Sequence, residues 1–199
     1  RTMYGQYGGP PGSAGYWSSY HEELVFYDDK KGGGRDKTWA VLNHEAFHQY
    51  IYYFYGNLSP HSWYNEGTGD FFSGYQFNPK RKFFKLTPFS WRRQLAKDNA
   101  RDGDYVPLEE FVRWTQAQYY GRNDYGIGGG SNYAQGWSFI WFLRHGGGEP
   151  KKWNDDWDGI LDVYLDTLAE TADLDEAADE AFKDVDWEEM EEAWLDYIT

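Results

Sequence analysis

Cysteine is absent from the chain, which excludes disulfides, thiolate metal sites and cysteine nucleophiles and leaves the redox compartment open. Any metal must then take its ligands from His, Asp or Glu, a donor set suited to a hydrolytic site rather than a closed structural one. Long apolar runs are also absent. None approaches the ~18 residues that a membrane-spanning helix needs, so no membrane span is expected. Basic residues are scarce towards the end of the chain. Residues 149–199 hold 3 basic and 19 acidic side chains, a balance of −16, while residues 1–148 hold 16 and 14, a balance of +2. No basic stripe results, and nucleic-acid binding is disfavoured. The acidic third reads as solvated helical faces. Arg1-Thr2-Met3-Tyr4 lacks a start methionine and the pattern of a secretion signal, so a processed chain or an excised fragment is expected.

What the chain does have is aromatic mass. Its 11 Trp, 18 Tyr and 13 Phe make up 21% of 199 residues, enough for a packed core and far from the composition of disorder. One domain over residues 1–199 is expected. Residues 1–15 are glycine-rich and read as a loop. Tyr16 to Tyr27 is aromatic and β-branched, and reads as a strand or hairpin, giving a β portion at about 15–30. Lys30 to Gly34 is a turn. Asp36 then caps a helix from about Lys37 to Tyr55, stopped by Gly56. Ser59-Pro60 opens a second helix through about Tyr75, so these two helices span about 37–75. Thr87-Pro88 opens a third that Gly103 ends, Pro107 to Tyr119 makes a fourth, and a glycine loop at 121–130 precedes a fifth. That fifth helix, Asn132 to Arg144, is apolar nearly all round and must be buried. Three amphipathic helices close the chain, the last capped by Asp186 with Glu189 at its third position. The fold class is α+β: a small N-terminal β portion, then a mostly helical body over 87–199.

The decisive motif lies in the first helix. His44-Glu45-Ala46-Phe47-His48 reads H-E-x-x-H. Two histidines four apart share one helical face, where both imidazoles can reach a single Zn²⁺. Glu45 lies roughly 100° around the helix, beside the ligands, placed to accept a proton from water at the metal and deliver it to a leaving amine. A catalytic zinc wants a third protein ligand. The candidate is Glu66, eighteen positions after His48 in Trp63-Tyr64-Asn65-Glu66-Gly67-Thr68-Gly69-Asp70. The metzincin continuation fails, because positions 51 and 54 are Ile51 and Phe54. Gly67 and Gly69 each cost about 1 kcal/mol in a helix interior, a cost that makes sense where helix backbones must approach closely. Asp70, one turn beyond Glu66, can accept a hydrogen bond from the outer ring nitrogen of His44 or His48 and fix its tautomer. His61 is a rival ligand that reads as a loop residue; His21 and His145 have no partner pattern.

These residues resemble a gluzincin. HEAFH followed by WYNEGTGDFF is similar to the signatures of aminopeptidase-N-type enzymes, and the Glu66–Asp70 spacing is similar to that of thermolysin-like ones. Over about residues 15–199 the chain most resembles peptidase-MA-like bacterial domains, in its pre-motif strand, its Tyr133-Ala134-Gln135-Gly136-Trp137 helix and a closing segment matched by Ala181-Phe182, Trp187 and Trp194. The resemblance implies a zincin-like fold, one Zn²⁺ per chain and a peptide or protein substrate. It also implies a secreted or periplasmic setting, and it gives Tyr133 a role in assisting the tetrahedral intermediate. The chain departs from the family in three ways. No exopeptidase segment precedes the zinc helix, the spacer to Glu66 is one residue shorter than the aminopeptidase norm, and few strands precede His44. The expected function is zinc-dependent hydrolysis of peptide bonds, with the strand at 16–27 available to pair with an extended substrate. The alternative is a non-catalytic zinc-containing module whose aromatics line a glycan or protein groove.

Overall fold

The computed structural model describes residues 4, 8–9, 13–28, 34–78, 80–148 and 153–199. The glycine-rich opening stretch and the turn expected before Gly34 lie largely outside them. The chain divides into two compact units, Arg1–Ser59 with Thr68–Phe89, and Pro60–Gly67 with Ser90–Thr199. The division falls inside one continuous helix, Ser62–Ser73.

The first unit begins with an antiparallel hairpin of β1 (Gly15–Ser18) and β2 (Glu23–Phe26), with Gly15 opposite Phe26 and Trp17 opposite Leu24. Helix α1 (Gly34–Tyr55) follows. The hairpin seats on it through Trp17, whose ring lies 5.7 Å from Tyr52 and 5.9 Å from Tyr53. A Cβ on Gly15 would come within 2.5 Å of Val41 Cγ1, so only glycine permits that approach. The helix buries Ala40, Phe47 and Ile51 on its inner face, seven and four residues apart in turn, two helical turns and then one. It ends where Gly56 takes φ 66°, a left-handed stop that glycine adopts freely. Helix α2 (Ser62–Ser73) leads into a second hairpin, β3 (Tyr75–Asn78) paired with β4 (Phe83–Leu86). The Ser73 hydroxyl donates to the Ala40 carbonyl at 2.9 Å and ties the end of α2 to the start of α1.

The second unit is helical: α3 (Ser90–Asp102), single turns α4 (Leu108–Phe111) and α5 (Gln116–Tyr119), α6 (Gly129–His145), α7 (Ile160–Thr171), α8 (Leu174–Ala181) and α9 (Trp187–Ile198). Helix α6 runs through its core, as its all-round apolarity requires. Trp63 packs on Phe139 and Phe182 with ring centroids 5.6 and 5.9 Å away. The Trp194 indole N–H, also buried, donates to Ser138 Oγ at 3.2 Å. Gln135 satisfies its buried amide on both sides of Val106, accepting from its N–H at 3.0 Å and donating to its carbonyl at 2.6 Å.

The α+β class holds, with a small N-terminal β portion and a mostly helical body. Several boundaries move. Helix α1 starts at Gly34, so Asp36 sits in its first turn rather than at its cap. Helix α2 starts at Ser62, not at Ser59-Pro60, and stops at Ser73, because residues 75–86 fold as a hairpin. The helix expected from Pro107 to Tyr119 is two single turns. Thr115 breaks it by capping the second turn with a full capping box to Gln118. Asp186 does cap the last helix, accepting from the N–H groups of Glu188 and Glu189, both at 3.1 Å.

Candidate metal centre

Helix α1 sets His44 and His48 one turn apart, with ring centroids 4.7 Å from each other and planes at 81°. On helix α2, Glu66 and Asp70 are likewise one turn apart and both buried. His44 Nδ1 lies 3.1 Å from Asp70 Oδ1. With the carboxylate as acceptor, the ring proton sits on Nδ1, and Nε2 keeps the lone pair a metal requires. Gly69 makes room for this arrangement. A Cβ there would fall 2.8 Å from the His44 ring. Gly67 serves a different neighbour. Its Cβ would meet the Gly136 carbonyl oxygen on α6 at 2.6 Å, so the two glycines that interrupt α2 answer separate close approaches.

The ligand atoms offered by His44, His48 and Glu66 lie within 4.8 Å of one another, the group among the described residues that could hold a metal. Tetrahedral ligands at about 2.0–2.2 Å from zinc stand about 3.4 Å apart, inside the 4.8 Å limit of this group. Two imidazoles and one carboxylate suit Zn²⁺, and the same set suits ferrous iron. The donors therefore fit a metal without naming it.

Glu45 is half-buried, and its Oε2 accepts the Trp17 backbone N–H at 3.0 Å. The donor that strand β1 offers at Trp17 is thus engaged by Glu45 rather than left for an extended peptide. The hairpin orients the carboxylate that the sequence places beside the ligands.

Around Glu66 the structure adds a residue that the sequence did not single out. The Tyr120 hydroxyl donates to Glu66 Oε1 at 2.6 Å, across 54 residues of chain. Burial, then the Glu66 carboxylate, pushes the Tyr120 phenol well above its usual pKa, so it stays a proton donor. Tyr133 stands behind it, hydrogen-bonded to Tyr120 and raised still further, by burial first and by Glu66 second. Helix α6 starts at Gly129, three residues earlier than expected, which puts Tyr133 in its second turn. Its ring packs on Tyr119 at 5.5 Å, and the Arg92 guanidinium lies 4.7 Å from its centre. The other tyrosines of this region serve elsewhere. Tyr125 donates to Glu110 at 2.6 Å, and the Tyr119 ring is fully buried against Phe111.

His61 is not in the ligand group. It precedes α2 and is buried, with its Nδ1 3.0 Å from the Tyr164 hydroxyl. Of the eleven tryptophans Trp39 and Trp91 stand exposed, Trp63, Trp114, Trp137, Trp157 and Trp194 are buried in the core, and the other four are half-buried. No family model, no curated protein and no solved structure matches the chain.

Proposed function

We propose that this protein is a zinc-dependent peptidase of gluzincin type. The observation that carries the reading is the convergence of His44, His48 and Glu66, with Asp70 behind His44 and an intact Glu45 next in sequence. A purely structural site has no use for a base beside its ligands. Bound zinc would lower the pKa of a water towards 7 and polarise the scissile carbonyl. The chain's own groups do the rest. Glu45, steadied by the Trp17 N–H, takes a proton from the attacking water. It then delivers that proton to the amine nitrogen as the C–N bond breaks. Tyr120 holds Glu66 in place, and Tyr133 is the phenol assigned to donate a hydrogen bond, without losing its proton, to the oxygen that gains charge.

Four variants test this, by zinc content after dialysis and by turnover on a proteome-derived peptide library. Glu45→Gln should retain one zinc after dialysis and lose about 10²–10⁴ in rate, the usual contribution of general acid–base help. Glu66→Ala should lose the zinc itself. Unchanged turnover in Glu45→Gln ends the mechanism, whereas stoichiometric zinc with no turnover on any peptide returns the site to a binding module. Tyr133→Phe should lower kcat by about 10²–10³ with KM nearly unchanged. Tyr120→Phe should weaken zinc retention.

A further inference from the structure

The β3–β4 hairpin has no part in the metal centre, and its chemistry points outward. In the antiparallel register Phe77 lies opposite Phe84, their ring centroids 5.1 Å apart on one face of the ribbon. Phe83 lies opposite Asn78, on the other face, because successive side chains alternate. The three rings are 49%, 59% and 41% exposed for Phe77, Phe84 and Phe83 respectively. Lys80, Arg81 and Lys82 form the tip and Lys85 follows, all exposed. None of these cations pairs with a carboxylate among the described residues. Nor does the turn need their side chains: Asn78 Oδ1 closes it by accepting the backbone N–H groups of Lys80 and Arg81 at 3.0 and 3.1 Å.

We propose that this hairpin is a surface anchor that seats on an anionic phospholipid bilayer. Three considerations select that occupant. Four positive charges gathered on one small ribbon, in a chain of formal net charge −14, complement a phosphate-rich surface. The same surface repels the acidic remainder, so the hairpin is the part that faces it. Second, the aromatics occupy both faces of the ribbon. A protein groove covers one face of a strand pair, whereas the fluid headgroup boundary surrounds both. Third, phenylalanine beside long basic side chains is the interfacial pairing in which rings enter the acyl boundary while the ammonium and guanidinium groups stay at headgroup level. This anchor is independent of the metal centre.

The test is co-sedimentation of the full chain with vesicles of phosphatidylcholine alone or with a third of phosphatidylserine. Wild type should bind the phosphatidylserine vesicles at low salt, bind phosphatidylcholine poorly and be released as salt rises. Each basic residue near such a surface contributes about fivefold, equivalent to about 1 kcal/mol. Reversing three (Lys80→Glu, Arg81→Glu, Lys82→Glu) should therefore weaken binding by about 100-fold or more. Phe84→Ser, which keeps every charge, should weaken it by about tenfold. Circular dichroism should be unchanged in both variants, since all the altered side chains are exposed. Absence of wild-type binding to the anionic vesicles would overturn the proposal, as would equal binding by the variants. So would salt-sensitive self-association that the charge reversal abolishes, with no vesicle binding; that outcome would assign the hairpin to the acidic third of a second copy.

Discussion

Two histidines of this protein hold their Nδ1 atoms at nearly the same distance from an oxygen, yet they are prepared for different work. His44, half-buried in the first unit, has Nδ1 3.1 Å from the Asp70 carboxylate. His61, buried in the second, has Nδ1 3.0 Å from the Tyr164 hydroxyl, and the same hydroxyl accepts the His61 backbone N–H at 2.9 Å. A carboxylate can only accept, so it draws the ring proton to Nδ1 and leaves Nε2 as a base. A phenol whose oxygen already accepts the backbone N–H has its own proton to give Nδ1. His61 then carries its hydrogen on Nε2 and remains neutral. Burial pushes its pKa down, outweighing the raising influence of Asp175. The partner, more than the imidazole, separates a candidate ligand from a core residue.

The sharpest way to break this comparison is to remove each ring in turn. His44→Ala should abolish stoichiometric zinc by elemental analysis, because a three-ligand site with one ligand missing no longer holds the ion through dialysis. His61→Gln should keep one zinc per chain. Zinc loss from the His61 variant with retention in the His44 variant would invert the assignment.

A smaller effect comes from the oxygen behind the ligand. Asp70→Asn preserves shape and removes charge, and should weaken zinc affinity by about 10–100-fold in competition with a chelator. An unchanged affinity would reduce Asp70 to a packing role. The matching change on the other side, Tyr164→Phe, leaves the His61 N–H and Nδ1 unpaired in the core. It should cost about 1–3 kcal/mol in denaturant unfolding with zinc binding untouched.

The smallest effect is a pH window. His61 has a folded pKa below its ordinary 6.5, so under acid the unfolded chain takes up a proton that the folded chain refuses. Its contribution to stability is complete above about pH 6.5 and falls as pH drops below it. Tyr164 is shifted the other way: burial raises its pKa far above 10.0. Its contribution is complete below about pH 10 and falls as pH rises past it. Unfolding free energy measured across pH should therefore bend at both limbs. His61→Gln should flatten the acid limb and Tyr164→Phe the alkaline one, and coincident curves for all three proteins would remove the pair from the titration.

The helix that carries His44 and His48 was legible because its information is local. Four-residue spacing fixes a face whatever surrounds it, and Gly56, Gly103 and Asp186 terminate or cap their helices by their own backbone chemistry. Asp70 was legible for the same reason, as one turn beyond Glu66. Tyr120 was not, since nothing in its neighbourhood records that its hydroxyl reaches a carboxylate 54 positions earlier. The β3–β4 hairpin was missed because its strands are only four residues each and carry phenylalanine on both faces, so no buried stripe appears. Its one local signal was Asn78, whose side chain closes the turn. The break in the fourth helix was written in the sequence as Thr115 and Gln118, a capping box inside an otherwise continuous amphipathic run.

The hydrogen bond from Trp17 to Glu45 sets an order of failure on heating. A two-stranded hairpin has little stability of its own, and this one meets α1 through the Trp17 indole and N–H, the close approach at Gly15 and an exposed Tyr53–Glu22 hydrogen bond. Such a segment opens locally at a lower free energy than the helical core needs to unfold. Once β1 lifts away, Glu45 loses the donor that aims it while His44, His48 and their helix remain folded. Under the peptidase reading, heat would silence the enzyme reversibly before the cooperative transition, and zinc would still be bound when turnover has gone.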